Sequence, residues 1–106
     1  MKRAQLVGQL VDNPLIRFVR QHPIATFTLD VCEPSSESPS FAFSLPCVAW
    51  GAVAETVGQL RAAALVRVQG RLCWYSPRAT TGQEQSTPVV HVRAVTVLAP
   101  AAVEVR

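Results

Sequence analysis

The stretch from Ser44 to Leu72, SLPCVAWGAVAETVGQLRAAALVRVQGRL, reads as strand, helix, strand, and the fold turns on that reading. Ser44 to Trp50 alternates with the period of a strand, and Gly51 breaks it where a turn is needed. Val53, Ala54, Val57 and Leu60 then fall on one face of a short helix, with Glu55, Gln59 and Arg61 off that stripe. The helix is expected to end across Arg61 to Ala64. From Leu65 the period returns to two: Val66, Val68, Gly70 and Leu72 share one side, Arg67, Gln69 and Arg71 the other. One face is core and the other is basic.

Working outward, Phe41 to Trp50 forms the whole of the strand before the helix, with Phe41, Phe43, Leu45, Cys47 and Ala49 on its core side. Pro46 marks an edge or a bulge in it. Upstream, Glu33 to Ser40 is a polar loop, and Ile24 to Cys32 alternates as a half-buried antiparallel strand. Lys2 to Asp12 is a first strand in which Gly8 marks a bend. Asn13-Pro14 interrupts it, Leu15 to Val19 resumes it as a short extension, and Gln21-His22-Pro23 is expected to turn the chain. Downstream, Ser76 to Thr87 is a long polar hairpin loop and Pro88 to Leu98 the last strand. The class is therefore all-β, a β-barrel with one short helix. Five strands with the helix between strands 3 and 4 give the element order of an OB-fold Greek-key barrel. Residues 1–98 form a single such domain and 99–106 a short C-terminal tail.

Of the 106 residues, 49% are apolar, which suits one domain with a modest core. Small all-β chains with exposed edges often complete their burial by association, so a homo-oligomer is expected. No apolar run approaches the roughly 18 residues of a membrane span, and the amino terminus lacks the apolar block of a secretory signal, so a cytoplasmic chain without membrane contact is the expectation. Cys32, Cys47 and Cys73 are odd in number and far apart, without CxxC spacing, and read as reduced packed thiols. His22 and His91 add no ligand spacing, so neither metal nor cofactor is expected. No phosphate loop with lysine, paired carboxylates or Ser/His/Asp motif is present, which leaves no basis for an enzyme. The net charge of +3 is unevenly spread, with Arg61, Arg67, Arg71, Arg78 and Arg93 set against Glu84 alone between Leu60 and Arg93. A segregated sign of this kind is the footprint of a polyanion-binding face.

Four blocks resemble the bacterial single-stranded DNA-binding protein family. They are Leu6-Val7-Gly8-Gln9-Leu10 with Asn13-Pro14-Leu15-Ile16-Arg17-Phe18, then Ala25-Thr26-Phe27-Thr28-Leu29, then Val48-Ala49-Trp50-Gly51-Ala52-Val53-Ala54-Glu55, and Gln69-Gly70-Arg71-Leu72. The chain departs from the family pattern at Ala52, where a basic residue is common, and at Ala62-Ala63, where a Lys-Gly turn is common. The family's hairpin tryptophan falls near Pro77, and no long acidic tail follows Leu98. In its shortness the chain is also similar to primosomal replication protein B and to plastid and cyanobacterial single-strand-binding-like proteins. The resemblance implies a non-catalytic OB-fold that binds single-stranded DNA, with RNA not separable from it, as a homodimer or homotetramer. DNA replication, repair or recombination, replication or primosome partners, and a nucleoid-associated cytoplasmic location or, for an organellar chain, the plastid stroma come with it. The alternative is a primosomal-type assembly module that keeps the barrel but binds nucleic acid weakly.

An OB-fold holds single strands with a basic groove and with rings on which bases stack, each stack contributing roughly 1–3 kcal/mol. Trp50 alternates opposite the Phe41/Phe43/Leu45 set and is the leading platform. Tyr75 and then Trp74 are the further ring candidates: counting by two puts Tyr75 on the basic side and Trp74 inside, an assignment that a bulge would swap. Phe18, Phe27, Phe41 and Phe43 are expected to pack. Arg67 and Arg71 share the outer face of one strand and are the leading phosphate ligands, with Arg3, Arg17, Arg20, Arg78 and Arg93 as further candidates and His91 as a minor one.

Overall fold

Along β1 (Lys2–Leu10) the chain changes partner, and that change closes a barrel. Its residues pair antiparallel with β5 (Leu65–Tyr75) from Lys2↔Leu72 to Gln9↔Leu65, while Gly8 to Leu10 also pair with β3 (His22–Cys32) from Gly8↔Val31 to Leu10↔Leu29. Gly8 belongs to both ladders. A Cβ there would lie 2.3 Å from the Asp30 carbonyl oxygen, so only glycine lets β1 come this close to β3. The computed structural model describes residues 2–32, 41–75 and 86–101. With β4 (Phe41–Trp50) and β6 (Thr87–Ala99), the strands run in the order β1-β5-β6-β4-β3, and the β1–β3 pairing returns to the start. Every ladder is antiparallel except β4–β6, which is parallel through Cys47↔Val90 and Val48↔His91. This is the five-stranded arrangement expected of an OB-fold.

A sixth strand, β2 (Leu15–Val19), pairs with β3 alone and stands outside the barrel as an arm. It is the segment the sequence offers as an extension of the first strand. The turn that joins it to β3 is Arg20-Gln21, with φ of 48° and 69°, rather than Gln21-His22-Pro23. His22 and Pro23 are already in β3, opposite Val19 and Phe18. Two successive positive φ values between paired residues make a two-residue hairpin whose twist matches the strands it joins.

The strand alternation becomes the core. Leu10, Phe27, Leu29, Val31, Leu45, Cys47, Val66, Val68, Val90 and Val92 are buried inside the barrel. Burying a large apolar side chain contributes roughly 1.5–3 kcal/mol, so this interior rather than the seven-residue helix α1 (Ala52–Gly58) dominates stability. The helix starts at Gly51 (φ 63°, ψ −133°), a conformation open to glycine, and its Ala54 and Val57 are fully buried against the barrel. Beyond it, Ala63 adopts φ 75° and is held from both sides: its N–H donates to Leu10 O, and its carbonyl accepts from Gln9 Nε2. The Ala62 N–H donates to Asn13 Oδ1 at 2.8 Å, tying the helix exit to the β1–β2 connection.

Three packing expectations need correction. Phe43 is 52% exposed and Phe18 is 70% exposed, although both sit at core-side positions of their strands. Phe43 lies near the start of β4, four residues before the described β4–β6 pairing begins at Cys47, and Phe18 lies on the arm. Trp74 keeps its interior register, opposite Pro88, yet is 65% exposed because β5 and β6 extend beyond the closed part of the barrel. The Phe41 side chain, the loops at 33–40 and 76–85 and the tail at 102–106 lie outside the described residues. Pro46 sits in the β3–β4 ladder just before the described β4–β6 pairing begins, so its missing N–H removes no bond of that second ladder.

Candidate nucleic-acid interface

Register links one transverse row of outward residues across all six strands. Arg3 pairs with Arg71, Arg71 with His91, His91 with Val48, Val48 with Thr26, and Thr26 with Leu15. Neighbouring strands lie about 4.8 Å apart, so the row forms a band around the barrel rather than a point.

At its basic end the band opens into a groove of about 480 Å³ lined by Arg3, Gln5, Gln69, Arg71 and Arg93. The groove has a structural cause. At Gln69/Gly70 the β5–β6 register shifts: Gln69 pairs with Ala94 but Gly70 with Val92, which leaves Arg93 as the extra residue of a β-bulge. A Cβ on Gly70 would lie 2.1 Å from the His91 carbonyl oxygen, so the glycine permits the close approach that the bulge requires. The bulge leaves Arg93 exposed on the same side as Arg3 and Arg71. Asp12, Asp30 and Glu55 are the carboxylates among the described residues, and none of them lines this groove. Three guanidinium groups from three adjacent strands thus share a concavity that none of the described carboxylates lines, a geometry that favours phosphate.

Trp50 lies two residues beyond Val48 along β4, as Arg93 lies two beyond His91 along the parallel β6. It is 54% exposed on the outer face. In its own row it stands beside Ile24, which pairs in turn with Arg17 of the arm. Arg67 is on the outer face of β5 with Gln69 and Arg71, but opposite Val7 and Thr96, outside the groove. Tyr75 has the outward register and is 63% exposed at the far end of β5, beyond Cys73 from Arg71. Arg20 sits in the turn of the arm, and Arg78 lies outside the described residues. The structure therefore brings Arg3, Arg71 and Arg93 into one groove, sets Trp50 and Arg17 in the next row, and leaves Arg67, Tyr75, Trp74 and Arg20 peripheral.

Sequence reasoning missed Gln5 and Gln69, which line the groove and which alternation alone presented as two polar surface residues. It missed Arg93's special position because a bulge is a register event between two strands, with Gly70 as its sole local mark. It also missed a second hollow on the band, built on Thr26, Thr28, Pro46 and Val48 with Asp12 and Asn13 at its side. Cys47 lies inside the barrel, where burial pushes its thiol up to about 12, so it takes no part in the surface chemistry. No group of three or more His, Cys, Asp or Glu side chains that could hold a metal ion occurs among the described residues.

No protein of curated function matches the chain. Residues 1–98 match the model of the single-strand binding protein family.

Proposed function

The chain belongs to the single-strand binding protein family, and we propose that it binds single-stranded DNA along the outer band of its barrel. The observation that carries this reading is the convergence of Arg3, Arg71 and Arg93, from three neighbouring strands, on a groove one row away from the exposed Trp50. The arginines neutralise and fork onto phosphates, and Trp50 offers a face on which one base stacks. Both contacts are blind to base identity, so affinity comes with little sequence preference. Arg17 extends the cationic track across the arm, and Arg67 and Tyr75 lie where a longer strand would leave the groove. No bond is made or broken in this role. A homo-oligomer in the cytoplasm, acting in DNA replication, repair or recombination, is the setting the proposal adopts.

Titration with oligonucleotides tests it. Tryptophan fluorescence should quench on adding a single strand, the affinity should fall as salt rises, and duplex of the same length should bind far more weakly. Tight binding to duplex with none to single strands would overturn the reading.

A second reading, an assembly module of the primosomal type, draws on a different observation. The β2 arm exposes Leu15, Phe18 and Val19 on a strand with a neighbour on one side only, a combination that suits protein contact. An affinity for single strands no better than for duplex, together with a stable complex with a second protein that is lost in Phe18→Ser, would decide for it.

A further inference from the structure

Ile24 is buried on the wrong side of its strand. Its neighbour Ala25 and then Phe27 face the interior, so Ile24 shares the outer face of β3 with Thr26. It is nevertheless 7% exposed, and it stands apart from the core cluster inside the barrel. Its shield is therefore made by neighbours on the outer face, and the two directly beside it in the row are Trp50 of β4 and Arg17 of the arm. Both of these side chains are exposed.

The backbone beneath the row is fixed from behind. The Gly51 N–H donates to the Pro23 carbonyl at 3.0 Å, which pins the end of β4 to the start of β3. On the arm, Ile16 takes the opposite face from Arg17 and packs against the core, its Cδ1 3.0 Å from where a Cβ on Gly58 of α1 would lie. Neighbouring strands are about 4.8 Å apart, so Trp50 and Arg17, one strand away on either side of Ile24, stand about 10 Å apart at the backbone. A base held between two planar groups needs one contact distance on each face, about 3.5–4.0 Å, or about 7–8 Å in all. An indole and a guanidinium leaning inward over that span meet both faces of one base, with Ile24 as an apolar floor against its edge.

The setting of Arg17 favours this use of its guanidinium over a phosphate contact. Leu15 and Val19 flank it on the same face of β2, and Ile24 stands opposite, so a planar and weakly hydrated cation sits among apolar side chains. Phosphate is provided for on the other side of Trp50. Arg93 stands two residues beyond His91 on β6, as Trp50 stands two beyond Val48 on β4.

Resting on the single-strand-binding reading above, we propose that Trp50 and Arg17 form a clamp for one base, which enters between the indole and the guanidinium above Ile24. Arg17 is then a base-binding residue, and its charge serves stacking rather than a phosphate. Lysine at this position would keep the charge but offer no plane to stack, so the clamp requires arginine.

The test measures the affinity of a labelled oligo(dT) by fluorescence anisotropy for wild type, Arg17→Lys, Trp50→Ala and the double variant, and repeats it at low salt with an abasic strand of the same length. Arg17→Lys should weaken oligo(dT) binding about two- to fivefold, with the salt slope and the unfolding temperature unchanged. That loss should vanish in the Trp50→Ala background and on the abasic strand, which keeps every phosphate but has no base to clamp. Wild-type affinity in Arg17→Lys would overturn the clamp and leave the single-strand-binding reading standing. An equal loss on the abasic strand, or an equal loss with and without Trp50, would likewise overturn the clamp. Failure of oligo(dT) to bind the wild-type chain would overturn both.

Discussion

Ala63 holds φ 75°, a left-handed backbone conformation that costs an L-residue roughly 1–2 kcal/mol relative to glycine. Its N–H and carbonyl are both bonded to β1, so the surrounding structure enforces the angle. Ala63→Gly should therefore raise stability by about 1 kcal/mol, read as a higher denaturant midpoint with unchanged slope. A lower midpoint would show that the angle is relaxed in solution. At Gly70 the effect is the reverse: a side chain there meets the His91 carbonyl, so Gly70→Ala should destabilise the β5–β6 bulge and disturb Arg93 along with it. Cys47 supplies a pH prediction. Its thiol is raised to about 12 from an ordinary value near 9, so the folded state holds the proton more tightly than the unfolded chain. The stability that this gives is complete below pH 9 and is lost as pH rises toward 12. At pH 8 an alkylating reagent should modify Cys32 and Cys73 in the native protein and reach Cys47 on unfolding, as read by mass spectrometry of the labelled peptides. Labelling of Cys47 at the same rate as the other two would contradict its burial.

At the scale of elements, the β2–β3 hairpin turns through two non-glycine residues with positive φ, Arg20 and Gln21. Asn-Gly is the pair best suited to that geometry. Gln21→Gly should stabilise the arm by about 0.5–1 kcal/mol, seen as a higher unfolding temperature, without altering oligonucleotide affinity. A drop in affinity would mean that the arm must flex to bind. The elements legible in the sequence were those with strict periodicity: β4, α1 and β5 follow from the alternation and helical spacing of Ser44 to Leu72, and Gly8 announced the bend of β1. What the sequence did not show were events between elements. Leu15 to Val19 reads as a continuation of the first strand because separation into an arm depends on where β1 leaves β5 for β3, and the bulge at Arg93 depends on the relative register of two strands. Phe43 and Trp74 carry the pattern of core residues, yet both are exposed near strand ends: Phe43 precedes the described pairing of β4 with β6, and Trp74 lies past the last β1–β5 pair.

For the whole molecule, closure of the sheet is what assembles the candidate site. Arg3, Arg71 and Arg93 are far apart in sequence and converge because β1, β5 and β6 are adjacent in the barrel. Sequence alternation identified Arg67 and Arg71 as sharing a face, but the fold places Arg67 four pairs along from Arg71, outside the groove, and draws in Arg93 instead. Trp50, by contrast, was legible as outward from alternation alone and is outward in the structure. Trp50→Ala should weaken single-strand binding by about 1–3 kcal/mol, roughly five- to 150-fold, with little effect on folding because the side chain is not part of the core.

The central claim, that the groove formed by β1, β5 and β6 carries the phosphate contacts, is tested most directly by the salt dependence of single-strand affinity in the triple variant Arg3→Gln, Arg71→Gln, Arg93→Gln. Each phosphate contact on a single strand contributes about 0.7 to the slope of log affinity against log salt, so the variant should lose about 2 from the wild-type slope while keeping its fold by circular dichroism. An unchanged slope and affinity in the folded variant would place the nucleic acid elsewhere on the barrel and contradict the account.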